Sequence, residues 1–530
     1  MSTKNLSIDV FPSSSIAPVS PLIYSGFLEH LGRCIYGGVV PAGPTNFPYS
    51  PRNPCPPEKF IPTPEKLLVT KHQFRADVLS LVRDELQVPM MRWPGGNYVS
   101  SYRWEDGIGR VRRPELAWGG EESNQFGTDE FIAWCNEAKC EPYICLNMGT
   151  GSLQEAINWV EYCNGTGDTY YANLRRTNTG KDEPHGVKYW GLGNEIWGEW
   201  QVGQQTAEQY AHKCRQWAHA LKLVDPNIIV ISCGETGLTA WDDTVLSYNI
   251  DKIDLHSVHL YTGFGARDRS EKDKEYHRTV YGPEAAEQGI EIARGLIEKA
   301  RVAKGVTKKV KLAFDEWNGW DEELATPQNG LQQFYNLTDA LSVASWLNVF
   351  VRQSATVEIA CLAQSVNVIS PIITSPTGFF RQTTFYPLKL FSNYMRGPGA
   401  QAVSAIVANG PKFEGETLPT WIGTVRGPPQ VLDISAVVVP AHGQSKRSLR
   451  LAVVNRSRDK NFDDVPIRIA FEMISANTAV EAHEVWNADV NARNGFDKDE
   501  HNVVTRSWTE PWAGHWSFKA HSFTLLVLDL

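Results

Sequence analysis

The sequence of 530 residues lacks the features that mark membrane proteins and nucleic-acid-binding proteins. It contains no run of about 18 apolar residues, and its first residues include no apolar stretch of signal-peptide length. The net charge is −9, and no dense block of Lys and Arg occurs. We therefore expect neither a nucleic-acid partner nor association with a membrane.

Cysteine is sparse, and its nine copies are an odd number. Most of them, including Cys34 and Cys145, stand in apolar strand-like or helix-like contexts. We expect buried free thiols that serve packing, in a reducing, cytoplasmic compartment, with a secreted mature form as the alternative. The sequence has no His-Glu-x-x-His string and no zinc-type cysteine spacing, so we expect no metal and no other cofactor.

Short apolar runs alternate with helix-like stretches along most of the chain. The apolar runs lie near residues 22–28, 88–92, 142–147, 188–193, 228–233, 254–260, 310–315 and 358–364. The clearest helix-like stretches are residues 125–138, 205–223, 284–303 and 331–353. Eight strands with helical connections are typical of an α/β chain folded as a (β/α)8 TIM barrel, which we expect over residues 19–396. Residues 40–65 and 262–284 are expected to form long loops.

The helical pattern ends at Arg396-Gly-Pro-Gly, and strand-like runs dominate the remaining chain. These runs are residues 431–439, 449–454, 466–472, 478–486 and 516–530. They predict a C-terminal antiparallel β-sandwich, jelly-roll-like, over residues 397–530. Residues 6–11 alternate in the same way, so we expect an N-terminal strand within residues 1–18 to join that sandwich.

Two acidic residues stand at the ends of predicted strands with tryptophan beside them. Glu195 follows the fourth apolar run, and Glu316 follows the seventh. A charge at the carboxyl end of a barrel strand is costly to bury, and that end is where barrel enzymes place their chemistry. Paired carboxyl groups in a sugar-sized cleft suit glycosidic cleavage, although each Glu could instead cap a strand or pair with an Arg. The neighbouring acids Glu199 and Asp315 are expected to be structural.

Seven short motifs stand in an order that resembles one enzyme family, the α-L-arabinofuranosidases of glycoside hydrolase family 51 in clan A of the retaining glycosidases. The motifs are GFLEHLGRCIYGG (26–38), RWPGGNY (92–98), NMGTG (147–151), GNE (193–195), HLY (259–261), FDEWN (314–318) and QSVN (364–367). Together they cover nearly the whole chain. Any one of these strings is weak evidence, whereas seven in the family's order are strong evidence.

The resemblance implies a role for each matching position. It makes Glu195 the acid/base and Glu316 the nucleophile. The positions that it places at or close to the sugar subsite are Glu29, Arg92, Trp104, Asn97, Asn194, His259, Tyr261, Trp320 and Gln364.

The activity that the resemblance implies is exo-acting and retaining, and it releases terminal arabinofuranose from arabinan- or arabinoxylan-derived oligosaccharides by double displacement. The carboxyl groups of such a pair stand about 5 Å apart. Another clan A activity, such as a β-xylosidase or an endo-β-glucanase, is one alternative. A barrel that binds carbohydrate without cleaving it is the other. A homo-oligomer is left open.

Overall fold

The computed structural model describes residues 6–41, 70–117, 120–263, 272–416, 426–443, 445–497 and 502–530. The chain begins with a strand, β1 (Ser7–Pro18), and then enters a region of alternating strands and helices. Among the helices of these described ranges, none is both long enough and apolar enough to cross a bilayer.

Eight strands of this region form a closed parallel barrel, as the sequence predicts. The strands of the region are β2 (Ser25–Phe27), β3 (Met90–Trp93), β4 (Glu115–Ala117), β5 (Gly120–Glu122), β6 (Glu141–Leu146), β7 (Tyr189–Leu192), β8 (Ile229–Ser232), β9 (Leu255–Thr262), β10 (Lys311–Gly319), β11 (Val357–Leu362), β12 (Ile372–Thr374) and β13 (Phe379–Arg381). The order around the barrel is β2-β3-β6-β7-β8-β9-β10-β11. The pairs β4-β5 and β12-β13 are separate hairpins.

Helices surround the barrel and connect its strands. They are α1 (Ala76–Ser80), which continues into a wider π turn at Leu81–Glu85, α2 (Thr128–Ala138), α3 (Leu153–Asn164), α4 (Tyr170–Thr179), α5 (Ala207–Val224), α6 (Ala240–Asn249), α7 (Lys272–Tyr281), α8 (Pro283–Lys304), α9 (Leu337–Arg352) and α10 (Phe385–Tyr394). The start of α5 shows how the sequence sets these boundaries. Thr206 accepts from the Gln209 amide, and the Gln209 side chain reaches back to the Thr206 amide.

The barrel interior is filled with side chains, so the mouth of the barrel is the part that can hold a ligand. An apolar cluster inside the barrel takes one or two residues from most of its strands, among them Phe27, Met90, Tyr143, Ile231 and Ile359. Such layers close the lower part of a TIM barrel and leave the carboxyl ends of the strands to carry the functional groups.

One of the two predicted long loops is wrong in part. Residues 272–281 of the expected 262–284 loop form α7. Tyr276, Val280 and Tyr281 of this helix are buried, and α7 contacts α9. The helix was missed because its remaining residues are mostly charged and leave a narrow apolar face. The other predicted loop lies, from residue 42 onward, outside the described residues.

The chain after α10 forms a predominantly antiparallel sheet, as predicted for the C-terminal part. Its strands are β14 (Gln401–Ala408), β15 (Leu432–Val439), β16 (Ser448–Asn455), β17 (Phe462–Ile469), β18 (Ala479–Val485), β19 (Thr505–Pro511), β20 (His515–Phe518) and β21 (Ser522–Asp529). The order is β19-β18-β21-β16-β15-β14-β1-β17-β20, and only β1 and β17 run parallel within it. Strands β14 and β19 were not expected, and the expected 516–530 strand is divided into β20 and β21.

The sheet encloses its own apolar core on one face and covers the barrel helices with the other. In β15, Ile434 and Val438 point into the sheet's core, whereas Val437 and Val439 join the larger core around the barrel. Arg352 at the end of α9 crosses this boundary. It pairs with a carboxylate of α8 at 2.9 Å and with a carboxylate of β15 at 2.7 Å.

Candidate active site

Glu195 stands just beyond the carboxyl end of β7. The strand ends at Leu192, and Gly193 then turns the chain with a φ of +83°, which a side chain would strain. Glu195 itself has a φ of +41°, and its carbonyl accepts from the Gly198 amide at 2.7 Å. This closed turn places Glu195 on the wall of the cavity at the barrel mouth.

Asp315 and Glu316 are neighbours in β10, yet both carboxyl groups reach the same buried guanidinium. Successive side chains of a regular strand point to opposite faces. The pairing of β10 with β9 is irregular between Ala313 and Glu316, where the strand departs from that alternation. Because of this irregularity, Arg92 contacts Asp315 and Glu316 together.

Glu195 and Glu316 approach each other across the barrel mouth. One oxygen of each carboxyl group and one ring nitrogen of His259 lie within 4.8 Å of one another. Both glutamates line a cavity of about 430 Å³. Carboxyl groups about 5 Å apart suit a covalent, retaining mechanism, whereas an inverting pair stands roughly 6.5–9.5 Å apart to admit a water molecule. The separation therefore favours retention.

Arg92, at the end of β3, holds the Glu316 side of the site. Its Nη1 donates to Glu316 Oε1 at 2.7 Å and to the Asp315 carbonyl at 3.0 Å, and its Nη2 donates to Asn194 Oδ1 at 2.6 Å. Burial acts to raise the pKa of Asp315, but the charge of Arg92 and a hydrogen bond from His259 lower it well below the usual range. Arg92 thus fixes two residues from opposite sides of the barrel and keeps Asp315 ionised.

Tyr261 and a glycine complete the surroundings of Glu316. The Tyr261 hydroxyl donates to Glu316 Oε2 at 2.8 Å, so each oxygen of Glu316 has one donor. A Cβ atom at Gly96 would come within 2.8 Å of Glu316 Oε1. The glycine in the RWPGGNY motif is therefore required for the carboxyl group to reach its place against the backbone.

His259 lies between three carboxylates. Its Nδ1 is 3.0 Å from Glu195 Oε1 and 3.7 Å from Glu316 Oε2, and its Nε2 is 3.1 Å from Asp315 Oδ1. Burial opposes the imidazolium, but the charge of Glu316 and hydrogen bonds to Asp315 and Glu195 raise the pKa of His259 to about 10. Both ring nitrogens therefore have protein partners, and neither is left for a sugar hydroxyl.

The trio of Glu195, His259 and Glu316 is also the group that comes close enough to hold a cation among the described residues. A metal would need a neutral imidazole nitrogen as its ligand. The raised pKa of His259 instead keeps a proton on that nitrogen, so the donor set does not favour a metal ion.

Glu29 lies beside β2 on the opposite wall of the cavity, with Gln364 and Gly96 as neighbours. Its Oε1 accepts from the amides of Gly96 and Tyr98, both at 3.0 Å, and its Oε2 accepts from Gln364 at 2.8 Å. Burial, supported by the charge of Glu316, raises the pKa of Glu29 to about 7 despite those amides. Gln364 and Glu29 both line the cavity, as the resemblance implies.

Asn194, Asn97 and Trp320 also lie at this site. The Asn194 amide nitrogen is buried beside Gly96, has no hydrogen-bond partner among the described residues, and belongs to a residue that does not itself line the cavity. Asn97 lines the cavity, and its Oδ1 accepts from Gln201 at 2.8 Å. Trp320 supplies an apolar wall and meets Tyr261 edge to face, with ring centroids 5.5 Å apart.

Trp104 is a correction to the expected set. It is buried away from the cavity, stacks on Trp159 with ring centroids 5.6 Å apart, and donates its indole N–H to the Glu155 carbonyl at 3.1 Å. Its ring therefore packs the helical layer and does not reach the sugar subsite. Glu199 is exposed and does not line the cavity either.

Two tryptophans of the same turn were not singled out from the sequence. Trp197 and Trp200 both line the cavity and meet at right angles, with ring centroids 5.1 Å apart. Trp200 is 59% exposed, and its indole N–H donates to Glu195 Oε2 at 3.2 Å. Their only signal in the sequence was their closeness to Glu195, which does not distinguish a cavity wall from a core residue.

The Cys34 and Cys145 thiols are buried and free, as are all the other described cysteines. Burial raises the pKa of Cys34 to about 12 and that of Cys145 to about 11. Both thiols are therefore protonated and inert at neutral pH, which agrees with the packing role expected for them.

Two family models match the chain. The model described as alpha-L-arabinofuranosidase 1 domain matches residues 82–277, and the model described as alpha-L-arabinofuranosidase C-terminal domain matches residues 315–522. The first spans the turn that carries Glu195, and the second begins in β10 beside Glu316.

Proteins similar to this chain cover between three quarters of it and nearly all of it. A probable alpha-L-arabinofuranosidase C of Aspergillus clavatus is 45% identical over 539 residues, which is 98% of this chain and 96% of the relative. An intracellular exo-alpha-(1->5)-L-arabinofuranosidase of Halalkalibacterium halodurans is 37% identical over 410 residues, covering 74% of this chain and 76% of the relative. The thermostable GH51 alpha-L-arabinofuranosidase of Thermotoga petrophila RKU-1 superposes with a TM-score of 0.82 at 34% identity, over 99% of this chain and 100% of that one. The chain belongs to the α-L-arabinofuranosidases of glycoside hydrolase family 51.

Proposed function

We propose that the protein removes single terminal α-L-arabinofuranosyl units from arabinan- or arabinoxylan-derived oligosaccharides with retention of anomeric configuration. The observation that carries the proposal is the approach of Glu195 and Glu316 to within 4.8 Å across a cavity of about 430 Å³. We assign Glu316 as the nucleophile because Arg92 and Tyr261 each donate to one of its oxygens and hold the carboxyl group at the wall of the cavity.

In the first half of the reaction, Glu316 attacks the anomeric carbon and forms an ester bond to it. The bond from that carbon to the leaving-group oxygen breaks, and Glu195 gives its proton to this oxygen. We expect the unpartnered amide N–H of Asn194 to donate to a sugar hydroxyl, an interaction that strengthens as the oxocarbenium-like state develops.

In the second half, Glu195 takes a proton from water while the water oxygen bonds to the anomeric carbon. The ester bond to Glu316 breaks, Glu316 recovers its charge, and Glu195 is protonated again. Two inversions give net retention. The water enters from the side that the first leaving group vacated, where Trp200 borders Glu195.

The exo preference is supported by the relative from Halalkalibacterium halodurans, which is named as an exo-acting enzyme on (1->5)-linked arabinofuranose. The apolar residues of the cavity wall add support, because Trp320, Leu331 and Val368 suit the carbon faces of one furanose ring. Digestion of linear and branched arabino-oligosaccharides checks this preference. Release of arabinose alone supports exo action, whereas early release of internal oligosaccharides contradicts it.

Retention is tested by ¹H NMR of the first product in the presence of methanol. A retaining enzyme gives methyl α-L-arabinofuranoside, and the β anomer would contradict the proposal. A panel of aryl glycosides separates the activities of related enzymes. Rapid hydrolysis of the aryl arabinofuranoside supports the proposal, whereas a preference for the xyloside or glucoside, or tight arabinoside binding without turnover, contradicts it.

A cytoplasmic location belongs to the same proposal. It is supported by the buried free thiols at eight described cysteines and by the word "intracellular" in the name of the Halalkalibacterium halodurans relative. Cell fractionation of the native host tests it. Activity found in the culture medium of intact cells would contradict it.

A further inference from the structure

The hydrogen-bond partners of His259 determine where its protons lie. Asp315 is ionised, and its Oδ1 can only accept, so the hydrogen bond of 3.1 Å requires a proton on Nε2 of His259. Tyr143 donates to the other oxygen of Asp315 at 2.6 Å, which leaves this carboxylate fully engaged. The His259 backbone N–H donates to the Glu235 carbonyl at 2.7 Å and fixes the ring from behind.

The second ring nitrogen faces two further acceptors. Nδ1 of His259 lies 3.0 Å from Glu195 Oε1 and 3.7 Å from Glu316 Oε2. A neutral Nδ1 would present a lone pair to both oxygens, which is unfavourable beside an ionised Glu316. A proton on Nδ1 satisfies both contacts, and the raised pKa of His259, about 10, agrees with this arrangement.

We infer that His259 is a positioning residue that occupies Oε1 of Glu195 and thereby leaves Oε2 as the oxygen that transfers the proton. Oε1 accepts a hydrogen bond from the protonated Nδ1 of His259 on the buried side of the cavity. Oε2 accepts a longer hydrogen bond, 3.2 Å, from the indole N–H of Trp200, whose side chain is 59% exposed, so this oxygen faces the open side of the cavity. The leaving group therefore departs on the Trp200 side. This inference rests on the proposed function, because it assigns Glu195 as the acid.

The same position lets His259 stabilise the charge that moves during the reaction. Before the first step the negative charge is on Glu316, and in the ester intermediate it is on Glu195. The second step returns the charge to Glu316. Nδ1 of His259 lies 3.7 Å from Glu316 and 3.0 Å from Glu195. The imidazolium is therefore next to whichever of the two carboxyl groups is charged at each stage. The negative charge can therefore move between Glu316 and Glu195 without leaving the neighbourhood of the His259 imidazolium.

The charged groups around His259 come from three strands. Glu195 follows β7, Asp315 and Glu316 belong to β10, and Arg92 on β3 pairs with both acids of β10. The Tyr261 hydroxyl, on β9 with His259, donates to Glu316. Removal of the imidazolium alone leaves Arg92 as the nearby cation, so Glu195 loses its charge partner while Glu316 keeps one.

The test is the replacement His259→Asn, which keeps an N–H group of similar reach but removes the positive charge. We expect kcat/KM to fall about 100-fold for methyl α-L-arabinofuranoside, whose leaving group needs acid assistance, and less than about 5-fold for the 2,4-dinitrophenyl arabinofuranoside. The alkaline limb of the pH profile should move to higher pH, because the variant lacks the cation that contacts Glu195.

A matched control is His185→Asn, because His185 contacts the Asp129 carboxylate at 2.9 Å outside the cavity. In this control variant, kcat/KM for both arabinofuranosides and the pH profile should be the same as in the wild type. If thermal unfolding shows that His259→Asn does not fold, His259→Gln is measured in the same way.

Three outcomes would overturn the inference. Equal losses for both leaving groups would mean that His259 only binds the sugar or supports the fold. An unchanged alkaline limb would mean that no charge acts on the acid, and wild-type activity in the variant would deny any role. Failure of the wild-type enzyme to cleave either arabinofuranoside would instead refute the proposed function. That result is distinguishable from the three outcomes above, which all require an active wild-type enzyme.

Discussion

The hydroxyl group of Tyr261 should assist the second half of the reaction more than the first. It donates to Glu316 Oε2 at 2.8 Å. Glu316 is charged in the free enzyme, neutral in the ester intermediate, and charged again after hydrolysis. A donor that prefers the charged form therefore stabilises the transition state in which the ester breaks and the charge returns.

The substitution Tyr261→Phe removes this donor and keeps the ring contact with Trp320. A hydrogen bond to a charged group contributes about 1.5–3 kcal/mol. Only part of the charge has returned to Glu316 in the transition state, so we take roughly half, about 0.8–1.5 kcal/mol. Because about 1.4 kcal/mol corresponds to a factor of ten in rate, kcat should fall about 4- to 12-fold.

The assay is stopped-flow hydrolysis of an aryl arabinofuranoside with a good leaving group. If deglycosylation slows, the ester intermediate accumulates, a burst of released phenol precedes the steady state, and KM falls with kcat. A rise in KM without a burst would refute the reasoning, because it would make Tyr261 a substrate-binding group. The matched control is Tyr162→Phe, since Tyr162 donates to the Asp129 carboxylate at 2.8 Å outside the cavity.

Three further predictions follow from the same structure. Glu316→Ala should abolish turnover of every arabinofuranoside, whereas Glu195→Ala should lose about 10²- to 10⁴-fold on poor leaving groups and far less on good ones in steady-state assays. Burial raises the pKa of Glu29 from 4.5 to about 7, so the folded protein binds a proton there more tightly than the unfolded chain does. The stability that this proton contributes is lost as the pH rises through that interval. Urea titrations should accordingly show Glu29→Gln gaining stability relative to wild type between pH 4.5 and pH 7, and a constant difference would contradict this account. Arg352→Met should lower the free energy of unfolding by about 3 kcal/mol without changing kcat, because it leaves two carboxylates unpaired at the boundary between barrel and sheet.

Much of the barrel could be predicted because its strands are short, buried apolar runs. The runs at 188–193 and 310–315 correspond to β7 and to the first half of β10. A parallel sheet buried on both faces needs such runs, and the polar residue that ends each run stands at the mouth. This pattern alone predicts Glu195 and Glu316 at the barrel mouth.

Other parts depend on contacts between distant residues that no local pattern contains. The irregular pairing in β10, which turns Asp315 and Glu316 toward one Arg92, follows from how β9 and β10 fit together. Trp104 and Trp200 have similar neighbours in the sequence, yet one is buried and the other is 59% exposed. The tertiary environment decides which tryptophan meets the ligand, and periodicity carries no information about it.

The place of β1 makes the catalytic barrel an insertion within the sheet domain. Ser7 pairs with Ala408 and Val10 with Ala405, so the first strand finds its neighbour only after the whole barrel has been synthesised. The entropy cost of closing a loop grows only slowly with its length, and a barrel that has already folded lowers this cost by holding its two ends together. Cutting the chain after the barrel would strip β1 of β14 and β17 and expose its edge to other chains. We therefore expect the barrel and the sheet to fold as one unit, and neither domain to be stable when it is expressed without the other.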